Sequence, residues 1–162
     1  MKKGIFVFFF ILVCDFAIKR WAFTHLVGMG GIPLIQNFLG CSFSLSFVAN
    51  KGMAWGLFAS HSSLLLVFRI VLISSLIFYL FSKAPQKSQF PILMILAGAI
   101  GNIVDSFLYG FVVDMFYPTI FGFAPFAVFN LADFAISMGV FWLAIQMFFE
   151  RKKDASLAHR QS

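Results

Sequence analysis

Four mainly apolar stretches of this 162-residue chain, at about 4–23, 62–82, 90–109 and 130–149, each approach the length of roughly 20 residues that an α-helix needs to cross a bilayer. Runs of that length leave few options, because lipid cannot satisfy backbone N–H and C=O groups and a spanning segment must satisfy its own. The expected fold class is an all-α membrane protein with four transmembrane helices, forming one integral membrane domain over 1–162. Composition excludes a soluble domain, since 61% of the residues are hydrophobic and 11% charged, against soluble norms of roughly 45–50% and about 25%. Twenty-five phenylalanines fit a chain whose surface meets lipid. A disordered segment or a disulfide-stapled module needs polarity or cysteine that is missing here.

The net charge of +6 comes from twelve basic residues, which form no stripe with interleaved aromatics, so nucleic acid is not expected as a partner. Their placement reads as topology. Lys2 and Lys3 precede the first apolar run, Lys83 and Lys87 separate the second from the third, and Arg151, Lys152, Lys153 and Arg160 follow the last. Lys and Arg concentrate in short cytoplasmic loops, so both termini and the 83–89 turn should be cytoplasmic, with loops 24–61 and 110–128 outside and a cytoplasmic tail at 150–162. Met1-Lys-Lys-Gly4 ahead of Ile5–Val13 imitates a signal peptide, but no small-residue cleavage site follows, and an uncleaved first helix is expected.

Within the first outer loop, Cys41-Ser-Phe-Ser-Leu-Ser-Phe47 alternates apolar and polar residues, the period of a strand with one wet face, and predicts a small sheet on the membrane. Asn50-Lys51-Gly52 supplies turn chemistry, and Met53–Ala59 is expected to form a short interfacial helix with Trp55 at headgroup depth. Pro118, Gly122 and Pro125 argue against a helix over 110–128, which is expected to lie flat on the interface as an apolar loop. Cys14 and Cys41 are assigned no role.

Glu150 and Asp154 read as surface charges of the tail, whereas Asp15, Asp105, Asp114 and Asp133 lie within or beside lipid-facing sequence. An ionised side chain at the bilayer centre costs roughly 2.5–3.5 kcal/mol on insertion scales, so each needs a reason to be there. The topology gathers Asp105, Asp114 and Asp133 at one membrane face. Asn102 precedes Asp105 by three residues and Asn130 precedes Asp133 by three, giving each acid an amide neighbour on its helical face. Gly98 and Gly101 allow another backbone to approach the third helix. Asp133 sits where a helix dipole favours negative charge, whereas Asp114, in an apolar segment, should resist ionisation. Two carboxyls in such different settings can share a proton, one activating water while the other polarises a scissile carbonyl. Asp15 and Lys19 stand four apart, acid first, and read mainly as an ion pair that holds the first helix. Arg69 in the second helix either snorkels or neutralises an aspartate. His25, His61 and His159 lack ligand spacing, so no metal and no cofactor is expected.

Five blocks resemble, in order, the signatures of bacterial lipoprotein signal peptidase, signal peptidase II: Asp15-Phe-Ala-Ile-Lys19; Asn50-Lys-Gly52-Met-Ala-Trp55; Gly98-Ala-Ile-Gly101-Asn102-Ile-Val-Asp105; Val112-Val-Asp114; and Phe129-Asn130-Leu-Ala132-Asp133. The resemblance implies an inner-membrane aspartic endopeptidase that cuts prolipoproteins just before a diacylglyceryl-modified cysteine. On it, Asp114 and Asp133 match the catalytic pair. Asn102, Asp105, Asn130 and Ala132 match positions supporting that centre, and Asn50, Gly52 and Trp55 match the outer-loop block. Asp15, Lys19, Gly98 and Gly101 are read as structural. An extracytoplasmic β-cradle and a short helix are implied at the alternating segment and the Met53 region. Phe16, Trp55, Ser106 and Phe134 depart from the family's usual Gln, Phe, Arg and Ser, so that either substrate positioning differs or Arg69 or Lys51 substitutes for the arginine absent at Ser106. The implied partners are a diacylglyceryl-modified prolipoprotein and membrane lipid, with the enzyme as a monomer. A small proton- or ion-coupled carrier is the chief rival. It should place its acids near the midplane, and often in inverted repeats, neither of which the sequence displays. An assembly subunit whose acids pair with a partner helix is a second rival.

Overall fold

The structure is a computed structural model that describes residues 2–52, 61–123 and 127–160. In chain order it contains α1 (Lys2–His25), β1 (Ile32–Phe38), β2 (Cys41–Asn50), α2 (Ser62–Ser82), α3 (Gln86–Tyr109), β3 (Val112–Ile120) and α4 (Leu131–Arg160). The interfacial helix expected at Met53–Ala59, with Trp55, falls outside the described residues.

Helices α2, α3 and α4 contain segments long and apolar enough to cross a membrane. Helix α1 has 24 residues, about 36 Å at 1.5 Å per residue, but Asp15, Lys19 and Arg20 interrupt its apolar run. Its Asp15 and Lys19 are buried in the protein while Phe6, Phe9, Phe10 and Val13 are exposed, so the helix packs on one side and leaves an apolar side open. At the other end of the chain, α4 extends through the expected tail to Arg160.

Helix α3 is the central post, with α1, α2, α4 and β3 all packed on it. Its buried face includes Gly98, Gly101, Asn102 and Asp105, at helical spacings of three and four. The two glycines serve different neighbours. A Cβ on Gly98 would strike the Ala132 carbonyl of α4, and one on Gly101 would lie 2.6 Å from an Asp15 carboxylate oxygen of α1. Pro91 inside α3 cannot donate to the Lys87 carbonyl one turn earlier, and Gln146 Nε2 of α4 supplies that bond instead at 3.0 Å.

The three strands form one antiparallel sheet in the order β1-β2-β3. The alternating segment at 41–47 is strand β2, which continues to Asn50. The small sheet expected beside the helices is therefore present, with two further strands, and the flat apolar loop expected over 110–128 is in fact strand β3 over Val112–Ile120. Pro118 does not prevent this because β3 is an outer strand of the sheet, where a missing ladder donor is tolerated. Pro33 sits on the other outer strand for the same reason. A cluster of Ala22 and Leu26 with Val113 and Met115 fastens the sheet to the end of α1.

Candidate active site

The start of α4 shows why Asn130 and Asp133 are three apart. Asn130 lies just before the helix, its side-chain oxygen accepts the Asp133 backbone N–H at 2.8 Å, and Asp133 accepts the Asn130 backbone N–H at 3.2 Å. This reciprocal pair is a capping box with aspartate in the third position. The spacing is therefore set by a helix start, and the expectation that both residues share a face of one helix is corrected. The backbone N–H of Ala132, also unpaired within the helix, donates to Asp15 at 2.9 Å, so the tip of α4 is anchored to α1 as well.

Asp114 arrives from the sheet. In the β2–β3 register Val48 faces Asp114 and Asn50 faces Val112, which puts Asn50 diagonally across from Asp114 on one face. Asn50 Nδ2 donates to Asp114 at 2.9 Å while its oxygen accepts the Gly52 N–H at 2.9 Å, an Asx turn that fixes the amide. Asn130 Nδ2 donates to the other Asp114 oxygen at 2.7 Å. One asparagine thus bonds both Asp114 and Asp133. Both acids line a single cavity of about 550 Å³ together with Asn50, Gly52, Arg69 and Asn102. Asp114 is buried and Asp133 half-buried.

Beneath the pair lies a closed polar layer. Lys19 Nζ contacts Asp15 at 2.7 Å, Asp105 at 3.0 Å and the Asn102 oxygen at 2.9 Å, with the three charged side chains each about 2% exposed. With its oxygen so engaged, Asn102 turns its Nδ2 to Asp133 at 2.8 Å. Asp105 also accepts the Val113 N–H at 3.1 Å and so fixes the backbone next to Asp114. No buried side-chain N or O among the described residues lacks a partner, as a polar layer in an apolar bundle requires.

Burial raises the Asp114 carboxyl from 3.8 to about 7, with the nearby Asp133 adding to the shift and the Asn50 and Asn130 donors opposing it. The apolar setting expected to resist ionisation does so. Among the described residues no three His, Cys, Asp or Glu side chains are placed to share a metal ion.

Two polar residues that line the cavity were not assigned a place by sequence reading. Arg69 of α2 donates to the Gly52 carbonyl at 3.0 Å and to Ser106 Oγ at 3.4 Å, whereas Lys51 is exposed. Ser137 of α4 also lines the cavity. A lone charge in the apolar run 62–82 was the available signal for Arg69; Ser137 carried none.

The fold is that of a membrane protein with a buried carboxylate site, and the family it matches is one of aspartic-type proteases. The chain belongs to the Signal peptidase (SPase) II family, whose signature matches residues 7–149. It is 31% identical over 152 residues to the lipoprotein signal peptidase of Clostridium acetobutylicum, covering 90% of this chain and 94% of that one. The lipoprotein signal peptidase of Desulforapulum autotrophicum is 35% identical over 151 residues, covering 89% and 90%. Among solved structures, a bacterial membrane enzyme obtained by the in meso method superposes with a TM-score of 0.82 at 25% identity, covering 94% of this chain and 92% of that one. A second gives 0.77 at 26% identity, covering 91% and 93%.

Proposed function

We propose that this chain is an aspartic endopeptidase of the bacterial inner membrane that removes signal peptides from diacylglyceryl-modified prolipoproteins just before the lipidated cysteine, with Asp114 and Asp133 as its catalytic pair. The observation that carries this reading is Asn130, which bonds both carboxylates at the edge of one cavity. Asp133 accepts from Asn102 and Asn130 and is the more exposed acid, so it suits the role of the carboxylate that takes a proton from water. Asp114 keeps its proton to about pH 7 and can donate it to the scissile carbonyl oxygen. The water oxygen bonds to the carbonyl carbon to give a gem-diol; Asp133 then passes the proton it took from water to the leaving nitrogen, the C–N bond breaks, and a gem-diol hydroxyl returns its proton to Asp114 as the carboxylic product forms. Asn102, Asp105, Asn130, Ala132, Asn50 and Gly52 hold these groups in place, and Trp55 is assigned to the substrate side.

Four crossings, with α1 as the first, leave the basic residues at both termini and at the 83–89 turn on the cytoplasmic side and the sheet and cavity on the periplasmic side. A monomer in lipid suffices, since all the groups invoked come from one chain. A lipid-anchored signal peptide brings its scissile bond to this depth, and an unanchored peptide does not.

Purified protein in lipid is expected to cleave a diacylated precursor and to leave the same precursor uncut when its cysteine is unmodified, as read by mass spectrometry of the products. Equal cleavage of both, or of neither, refutes the proposal. The pH profile provides a separate check. As pH rises through about 7, Asp114 loses the proton it donates, so turnover of the diacylated precursor is expected to fall on the alkaline side with a midpoint near that value. The sign for stability is the same. The folded state binds this proton more tightly than the unfolded chain does, so the associated stabilisation is complete below 3.8 and is lost as pH rises through about 7. A profile flat from pH 5 to 9 would remove Asp114 as proton donor.

A further inference from the structure

Arg69 is the only charged residue in α2 and lies seven residues inside it, roughly 10 Å along the helix at 1.5 Å per residue. A cation at that depth in an apolar helix is costly and calls for a counter-group. Among the described residues it has no carboxylate partner. Its hydrogen bonds go to two neutral oxygens, the Gly52 carbonyl at 3.0 Å and Ser106 Oγ at 3.4 Å, and none of the ion pairs includes it. Neutral glutamine could make bonds of this kind without the cost of burying a charge. The Ser106 bond is long, and Ser106 Oγ has another partner in the Asn102 carbonyl at 2.9 Å, so releasing Arg69 does not orphan it. A guanidinium has five N–H donors in a fixed fork, more than these two contacts use. It lines the same cavity as Asp114 and Asp133.

We infer that Arg69 is a substrate-binding residue, whose guanidinium takes a carbonyl oxygen of the bound substrate in exchange for Ser106 and so holds the scissile bond against the carboxylate pair. This deepens the proposed function and rests on the assignment of the cavity as the peptidase site. Two sources offer the same chemistry, the peptide main chain and the ester carbonyls of the diacylglyceryl group.

Binding is measured in an Asp133→Asn background with a fluorescent diacylated precursor peptide in lipid nanodiscs, so that the readout does not depend on turnover. Arg69→Gln is expected to raise Kd about tenfold or more, the loss of one charge-assisted hydrogen bond. Adding Ser106→Arg to that variant returns a cation to the contact point and is expected to recover most of the binding. In the otherwise native enzyme, Arg69→Gln is expected to raise KM and to change kcat less. Arg69→Lys keeps the charge and loses the fork, and is the arm to read should Arg69→Gln fail to fold. Its Kd is expected to rise several-fold at unchanged thermal stability. An ether-linked dialkylglyceryl peptide separates the sources. If the Arg69→Gln penalty persists with it, the oxygen belongs to the peptide, and if the penalty vanishes, to the lipid ester. Parental Kd in Arg69→Lys, or in a folded Arg69→Gln, overturns the inference. Residual cleavage by Asp133→Asn, by contrast, counts against the carboxylate pair and leaves the Arg69 result standing.

Discussion

Asp114→Asn and Asp133→Asn are each expected to lower cleavage of a diacylated precursor by at least about a thousandfold, within the range that positioned acid–base groups contribute. The substitutions are nearly isosteric, but each amide loses one acceptor oxygen. Asp114 accepts from Asn50 and Asn130, and Asp133 from Asn102 and the Asn130 backbone. Some stability is therefore lost, about 1–3 kcal/mol for a buried group left facing another donor. A gel assay of precursor processing beside thermal unfolding in detergent separates the two effects. Residual turnover above about one part in a hundred in a folded variant would exclude that residue, being short of even a single acid–base contribution. The two losses should also fail to add in the double variant, since neither carboxylate works without the other.

Lys19→Met is expected to affect the fold itself. Removing the ammonium leaves Asp15 and Asp105 buried side by side without their cation and withdraws a donor from Asn102. Breaking a buried ion pair from one side costs about 3–5 kcal/mol, enough to consume much of the stability of a small domain. Little folded protein should be recovered by size-exclusion chromatography after extraction. Adding Asp105→Asn removes one uncompensated charge and should restore part of the yield. A singly substituted protein that is extracted in normal amounts and melts at the parental temperature would mean that the layer under the site is dispensable. The expectation that this pair chiefly anchors α1 concerns its role, and this experiment tests that role directly.

The membrane character, the β2 strand and the gathering of acidic residues were legible because each leaves a local signal. Apolar runs report helices that face lipid, and the Ser42, Ser44, Ser46 alternation reports a strand with two unlike faces. Strand β3 gave no such signal, since Val112, Val113, Asp114 and Met115 are all buried and period two disappears when both faces are covered. Strand β1 is exposed along its length and carries Pro33, so neither burial nor alternation announces it. The Asn130–Asp133 spacing was visible but ambiguous, because three residues separate neighbours on a helical face and also the partners of a capping box. Partners of Arg69 were beyond local reasoning: they depend on how α2 leans on α3, which a single sequence does not encode in its spacing.

One consequence follows from where the two carboxylates sit along the chain. Asp114 is carried by a strand that must wait for a hairpin made some seventy residues earlier, and Asp133 by the first turn of the last helix. A ribosome-bound chain that has delivered only α1 to β3 holds one acid without its counterpart, and the Asn130 amide that joins them has yet to arrive. If this pair is the catalytic one proposed above, order of synthesis serves as a safety catch: the growing polypeptide has no completed pair of carboxylates until α4 emerges.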